Sequence, residues 1–334
     1  MNYKVCVLCM TYNHHSFIKD TLDGFCMQKT DFPYVCCIVD DYSTDGEQRV
    51  LSEYLQQNGL FLNNCDVCKS ETDDYEFSFV KHKTNSNCFI AVFFLKYNHW
   101  GKKSKLEYVE EFCNISEYTA ICDGDDYWIS PDKLKLQADL LDNNPSISLV
   151  CTRYENLIEK TKYKYLEKNY YFDNKDAKDS DFFVFTRRDA FLKGWITKTL
   201  TCMYRSDLFD VNYINSFNYS RDVHIVNHLL MRGKGACLAL VSGVCRLNES
   251  SSFNGKTFEE QHLQNYNVFN ELFAKTHDPI FAFYAMGHYS ELYKKRVPPY
   301  HIPRTLLQFF SLLFYIPLVY IIKQIKKWKD HWYL

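Results

Sequence analysis

Residues 118–132 read Tyr-Thr-Ala-Ile-Cys-Asp-Gly-Asp-Asp-Tyr-Trp-Ile-Ser-Pro-Asp and bring three carboxylates, Asp123, Asp125 and Asp126, to the end of an apolar run. Carboxylates this close repel one another unless a cation joins them. All-oxygen acidic clusters suit Mn2+ or Mg2+, held by one or two carboxylates together with the phosphates of a substrate. Thr119, Ala120, Ile121 and Cys122 read as the tail of a buried strand. Ser130 and Pro131 then supply an N-cap and a first-turn residue for a helix marked by Leu134, Ala138 and Leu141. A strand-to-helix turn is where an open α/β sheet places its ligand crevice. The plainer alternative is an acidic surface turn that caps a helix.

The elements that must position this turn alternate between the strand and helix periods. Residues 4–10 form a short apolar strand ending at Thr11-Tyr12-Asn13, followed by a helix over 16–27 with Phe17, Leu22 and Phe25 on one face. Residues 34–39 form a second buried strand ending at Asp40-Asp41, and Gly46 opens a helix in which Val50, Leu51, Tyr54 and Leu55 recur. Residues 59–88 are less regular. Strand-helix alternation predicts an α/β fold with a mostly parallel, nucleotide-binding sheet. Parallel strands present their carboxyl ends at one edge, so Tyr12-Asn13, Asp40-Asp41 and Asp123–Asp126 should line one crevice. There Tyr12 can stack on a base, Asp41 can accept a base N–H, Asp123 can reach a ribose and a metal can bridge phosphates. Taken singly, Tyr12 is also readable as loop packing and Asp40 as a satisfied turn residue.

Composition narrows the class. With 334 residues the chain can bury a sizeable core, and its net charge of −2 advertises no nucleic-acid partner. The N-terminus runs straight into a strand pattern and lacks the zones of a signal peptide, which points to a cytoplasmic protein. Many of the 14 cysteines, among them Cys6, Cys9, Cys36, Cys37, Cys122 and Cys151, sit in apolar runs and read as small buried hydrophobes. Cys65 and Cys68 have zinc-like spacing, but no second pair is plainly placed to complete a site.

In order and spacing, Val5-Cys-Val-Leu-Cys-Met-Thr11-Tyr12-Asn13, Met27-Gln28-Lys29-Thr30, Val39-Asp40-Asp41-Tyr-Ser43-Thr44-Asp45-Gly46 and Asp123-Gly-Asp125-Asp126-Tyr-Trp128 resemble the signature blocks of family 2 glycosyltransferases. The resemblance is closest to bacterial enzymes of capsular and lipopolysaccharide synthesis. It implies a glycosyltransferase A-type fold with a nucleotide-sugar donor, expected to be UDP-linked, across the sheet edge. Thr11, Tyr12, Asn13, Asp40 and Asp41 would line the donor site, Asp123 would meet the ribose, and Asp125 and Asp126 would face a Mn2+ or Mg2+ and the diphosphate. On this basis residues 1–150 form the donor-binding half and 151–255 the acceptor and catalytic-base half of the same domain, with 256–334 a helical extension.

In the second half, 199–205 resembles the segment that closes over the donor sugar, and 220–231 resembles the helix carrying the catalytic base. Val223, Val226 and Leu230 have core spacing there and Gly233 fits just past the end, which puts Asp222 in the first turn, where the macrodipole favours its ionised form. The resemblance makes Asp222 the base of an inverting transfer; a helix-terminal charge is the plain alternative. Arg246 and Asn248 fall at the family's last donor contact, but Asn248 stands where many relatives carry a histidine. His224 and His228, four apart, read as ordinary histidines rather than a metal pair. Two other classes stay open. A non-catalytic nucleotide-sugar-binding relative is kept alive by Asn248, and a Mg-dependent phosphohydrolase would leave Tyr12 and Asp40-Asp41 unexplained.

Residues 306–322 form a 17-residue apolar run broken by Gln308, Ser311 and Pro317, with Lys323, Lys326, Lys327 and Lys329 after it. As a helix it spans roughly 25 Å, short of the ~30 Å hydrocarbon core. The lysines with Trp328, Trp332 and Tyr333 suit an anionic surface, so 306–329 is expected to seat at the cytoplasmic face of the inner membrane. That location suits a glycan or lipid-linked acceptor. A buried packing helix is the alternative.

Overall fold

The computed structural model describes residues 2–60, 69–99, 104–173, 181–192, 196–219, 221–248 and 255–295. Cys65, Cys68 and the expected membrane segment 306–329 lie outside the described residues. Among the described residues no helix is long and apolar enough to cross a membrane.

Fully apolar runs become central strands because both of their faces are covered. The chain begins with β1 (Tyr3–Thr11), α1 (Ile18–Cys26), β2 (Tyr34–Asp40) and α2 (Glu47–Asn58), and every residue of β2 is buried. The stretch expected to be irregular instead holds β3 (Gly59–Leu60), β4 (Lys69–Glu71) and β5 (Tyr75–His82), which fold antiparallel beside β6 (Cys88–Leu95). Next come α3 (Glu110–Asn114), β7 (Ser116–Ile121), β8 (Tyr127–Trp128), α4 (Lys133–Asn143), β9 (Ile147–Ile158), β10 (Tyr163–Leu166), β11 (Phe182–Phe185) and α5 (Arg187–Leu192). Then follow β12 (Met203–Arg205), α6 (Val211–Asn215), α7 (Asp222–Leu230), β13 (Lys234–Leu247), α8 (Phe258–Thr276) and α9 (Pro279–Lys294).

One sheet runs in the order β11-β13-β9-β12-β7-β1-β2-β6-β5-β3. Its centre, β7-β1-β2-β6, is parallel, whereas β12 pairs antiparallel with both β7 and β9. The sheet is therefore mixed, with its parallel part where the crevice was expected. On one face α1, α2 and α4 bury Ile18, Leu22, Phe25, Leu51, Leu134, Ala138 and Leu141 against Val5, Val7, Cys36 and Ile38. Burial of a side chain of this size stabilises by about 1.5–3 kcal/mol. The cysteines of the apolar runs are buried thiols, as expected.

Helix α4 begins two residues later than its sequence cue. Its N-cap is Asp132, with no side-chain cap, and Gln28 supplies what Ser130 was expected to supply. The Gln28 Oε1 accepts the Leu134 N–H (3.1 Å) while its Nε2 donates to the Ser130 carbonyl (2.8 Å).

The chain divides into two compact units, one of Met1–Asn215 with Ile225–Leu247 and one of Ser216–His224 with Asn248–Leu334. In the second, α8 starts with a capping box between Thr257 and Glu260, and α9 is capped by Asp278 with Pro279 in its first turn. These two helices pack through Tyr266, Ala285 and Leu292, with Phe269 and Tyr289 alongside.

Candidate functional site

Thr11 pairs with Asp40 in the β1–β2 register, and Leu8 with Ile121 in β1–β7. The chain leaves all three parallel strands on one sheet edge, so the loops after β1, β2 and β7 are neighbours. The Gly124 N–H donates to the Met10 carbonyl (3.1 Å) and the Asp41 N–H to that of Thr11 (3.0 Å), which joins the loops directly. Two residues here sit in the left-handed region, Asn13 (φ 57) and Tyr42 (φ 64). Such backbone is costly for a tyrosine and persists only where its surroundings impose it. Tyr12, the residue that follows β1, is 43% exposed.

Glu47, at the start of α2, organises the β1 loop. Its carboxylate accepts from the Thr11 hydroxyl, the His14 N–H (2.8 Å) and the Ser43 hydroxyl (2.9 Å). Burial pushes this carboxyl up in spite of those donors. Asn13 closes the other side, donating its N–H to Ser43 Oγ (2.9 Å) and accepting the Thr44 N–H (2.8 Å).

The acidic turn is held by its backbone. Thr21 donates to the carbonyls of Gly124 (3.1 Å) and Asp126 (2.6 Å), and the Asp126 N–H donates to the Asp123 carbonyl (3.1 Å). A Cβ on Gly124 would lie 2.1 Å from Thr11 Oγ1, so the turn and the β1 loop meet through a glycine that admits no side chain. Gly124→Ala should therefore cost about 1–3 kcal/mol by overpacking. A denaturation midpoint equal to wild type would show that Thr11 can withdraw without loss.

With the backbone so committed, the carboxylates of Asp123 and Asp125 make no hydrogen bond or ion pair among the described residues, and Asp126 accepts only the Arg246 N–H (2.8 Å). Burial first, then the charge of Asp125, push Asp123 up to about 6 and raise Asp126 as well. The charges of Lys105 and Lys198 act against this on Asp123. Among the described residues no three His, Cys, Asp or Glu side chains converge into a ready-made metal cage. The turn offers three hard-oxygen carboxylates, with Asp126 buried and Asp123 and Asp125 half-buried, a donor set that fits a hard divalent ion completed by phosphate and water.

Three of the expected donor-site features are engaged within the protein itself. Asp41, assigned to the base, is 1% exposed with both carboxylate oxygens engaged: Oδ1 takes the His99 N–H (2.7 Å) and Oδ2 the Lys105 ammonium (2.8 Å). Its neighbour Asp40 takes Ser43 and Gln48 on Oδ2, while its buried Oδ1 has no partner among the described residues. Arg246 does not reach outward either. Its guanidinium donates to Glu159 (2.8 Å), to the Asp125 carbonyl (2.9 Å) and to Asp20, and it lies over the rings of Tyr127 (4.3 Å) and Phe17 (4.9 Å). It is a positioning residue of the acidic turn, since a buried charge needs such partners. Residues 199–205, expected to close over the donor sugar, are built into the sheet through β12, with the Leu200 carbonyl accepting Trp128 Nε1 (2.8 Å).

Asn248 follows β13 directly, and Asp222 opens α7 with its Oδ1 accepting the Val223 N–H (2.9 Å). His224 is a core histidine; its imidazolium is disfavoured by burial, with the pKa lowered to about 4. Sequence reasoning missed Glu47, Lys105, Lys198 and Glu159. Only Glu47 carried a signal, an acidic first-turn residue behind Asp45-Gly46.

The profile described as glycosyl transferase family 2 matches residues 6–205. An uncharacterized protein of Mycobacterium tuberculosis (strain H37Rv) is 30% identical over 143 residues, 43% of this chain and 33% of that protein, and one of Mycobacterium bovis matches equally. The chain thus spans about a third of the length of these curated relatives. Among solved structures, S. aureus TarS 1–349 in complex with UDP-GlcNAc is similar with a TM-score of 0.55 at 18% identity, over 86% of this chain and 73% of that one. Its complex with UDP gives 0.54 at 17% identity, over 88% and 75%. These likenesses show a shared fold, the glycosyltransferase A-type.

Proposed function

Since the chain belongs to glycosyl transferase family 2, we propose that it moves a sugar from a UDP-linked donor to a glycan or lipid-linked acceptor, with inversion, in surface polysaccharide synthesis. The observation that carries this is the meeting of three loops at the carboxyl ends of β1, β2 and β7. They bring an exposed aromatic ring, a buried carboxylate oxygen without a partner and a partly buried acidic turn to one edge. The choice of UDP follows the donor held by TarS, which shares the fold.

In this reading Tyr12 stacks on the base and Asp40 Oδ1, rather than Asp41, accepts its N–H. An unpaired buried oxygen costs about 1–3 kcal/mol, which a ligand N–H repays. Asp123 meets the ribose. Asp125 and Asp126 would hold Mn2+ or Mg2+ with the diphosphate, and such an ion supplies charge stabilisation to the departing nucleotide. Asp222 takes the proton of the acceptor hydroxyl as its oxygen attacks the anomeric carbon, and the bond from that carbon to the diphosphate oxygen breaks. Residues 306–329 seat the enzyme at the cytoplasmic face of the inner membrane.

Calorimetric titration of the full chain with UDP tests the donor reading. Binding in Mn2+ should weaken at least about tenfold in chelator, roughly 1.4 kcal/mol. Absence of UDP binding in either condition refutes it.

A further inference from the structure

One divalent ion does not neutralise three carboxylates and a diphosphate held together, so a donor seated at the acidic turn calls for a further cation. Two cations near the turn are engaged elsewhere. Arg246 is held by Glu159, Asp20 and the Asp125 carbonyl, and Lys105 is paired with Asp41 (2.8 Å).

Lys198 is brought to the turn by strand direction. β12 runs antiparallel to β7, with Met203 opposite Ala120, and the Ile121 N–H donates to the Cys202 carbonyl (3.3 Å). The residues that lead into β12 therefore lie just past the carboxyl end of β7, where the acidic turn begins. The Leu200 carbonyl fixes them there by accepting Nε1 of Trp128 (2.8 Å), the residue after Tyr127. β13 approaches from another direction. Lys198 donates a side-chain hydrogen bond to the thiol of Cys245, and the next residue, Arg246, gives its N–H to Asp126 (2.8 Å). Two strands thus hold a half-buried lysine in the neighbourhood of Asp126. Against the burial that raises Asp123 and Asp126, the Lys198 charge pulls both back down.

We propose that the Lys198 ammonium binds the diphosphate of the nucleotide-sugar donor at the acidic turn, in addition to the divalent ion. An ammonium is a compact point charge with three donors on a flexible stem, and it suits phosphate oxygens whose positions shift during reaction. As the bond from the anomeric carbon to the diphosphate oxygen breaks, negative charge gathers on the departing diphosphate. A cation already held in a half-buried site favours that charge without having to be reorganised. The plain alternative is a counter-ion that only steadies the turn.

The assignment rests on the donor reading, and its test separates the two. Lys198→Met keeps the apolar stem without the charge, Lys198→Gln puts a neutral polar end there, and Lys198→Arg keeps the charge. In calorimetric titrations of the full chain in Mn2+, both neutral variants should bind UDP about tenfold more weakly than wild type, roughly 1.4 kcal/mol. Lys198→Arg should stay close to wild type. Uridine, which carries no phosphate, should bind all four proteins alike. Mn2+ alone should bind the neutral variants at least as tightly as wild type, because a like charge has left the turn. A counter-ion that only steadies the turn predicts that Mn2+ and UDP are lost together, so opposite signs mark a ligand contact. Unchanged UDP affinity in a neutral variant, an equal loss for uridine, or joint loss of Mn2+ and UDP overturns the assignment while leaving the donor reading intact. Failure of both neutral variants to fold overturns it too, since the ammonium is then committed to the fold. A wild type that binds no UDP refutes the donor reading, and the Lys198 assignment falls with it.

Discussion

Asp125→Ala or Asp126→Ala should abolish Mn2+-dependent UDP binding and transfer while the protein stays folded. Outer-shell partners of a metal are worth about 10–100-fold in affinity, and loss of a direct ligand should exceed that. The two variants should differ in one respect. Asp125 offers its carboxylate to no other group of the described residues, whereas Asp126 also accepts the Arg246 N–H, so its removal loosens the turn as well. The pH dependence follows from burial. Asp123 is pushed up to about 6 from an ordinary 3.8, and Asp126 is raised too, so the native state keeps protons that the unfolded chain has released. The metal-free protein should then lose stability as pH rises from about 4, through about 6 for Asp123 and about 8 for Asp126. Mn2+ should restore stability above that window, and its affinity should climb across it because protons and metal compete for the same oxygens. Melting curves over pH with and without Mn2+ check both signs. A wild type that binds UDP equally well in chelator, or alanine variants that keep the Mn2+ effect, would take the metal away from this turn.

The crevice was legible because its cause is local in sequence. Apolar runs with polar ends make buried parallel strands, and parallel strands of one sheet deliver their ends to one edge. Tyr12, Asp40 and Asp123 could thus be placed together before any contact was known. Roles within the crevice were not legible, because they depend on partners far along the chain. Nothing near Asp41 announces Lys105 or His99, 64 and 58 residues away, which occupy its carboxylate. Arg246 looked like a donor contact, yet its partners lie 226 residues back at Asp20 and 87 back at Glu159. Short or half-exposed strands were hidden for another reason. β12 has three residues, too few for any period to show, and β5 alternates only weakly between buried and open positions. The α4 start moved because Gln28, more than 100 residues away, accepts the Leu134 N–H that a local cap would otherwise take.

Asp222→Asn should lower kcat by the ~10²–10⁴-fold that loss of a general base brings. The amide keeps the size of the carboxylate and an oxygen able to accept the Val223 N–H that Asp222 now takes (2.9 Å), so α7 should start as before. Its apolar face, with Val223, Val226, Leu229 and Leu230 all buried, is untouched by the change, and thermal stability should hold within the few tenths of a kcal/mol that a helix-terminal charge contributes. UDP affinity should not move, because the groups assigned to the nucleotide are Tyr12, Asp40, Asp123, Asp125 and Asp126. The variant therefore separates two roles for one carboxylate. A proton acceptor predicts a collapse in turnover with donor binding intact, and slow hydrolysis of the donor by water should fall along with transfer if both nucleophiles use the same base. A helix-terminal charge predicts a small drop in stability with turnover near wild type. In the second case Asp222 is structural, and the base of the reaction is another group.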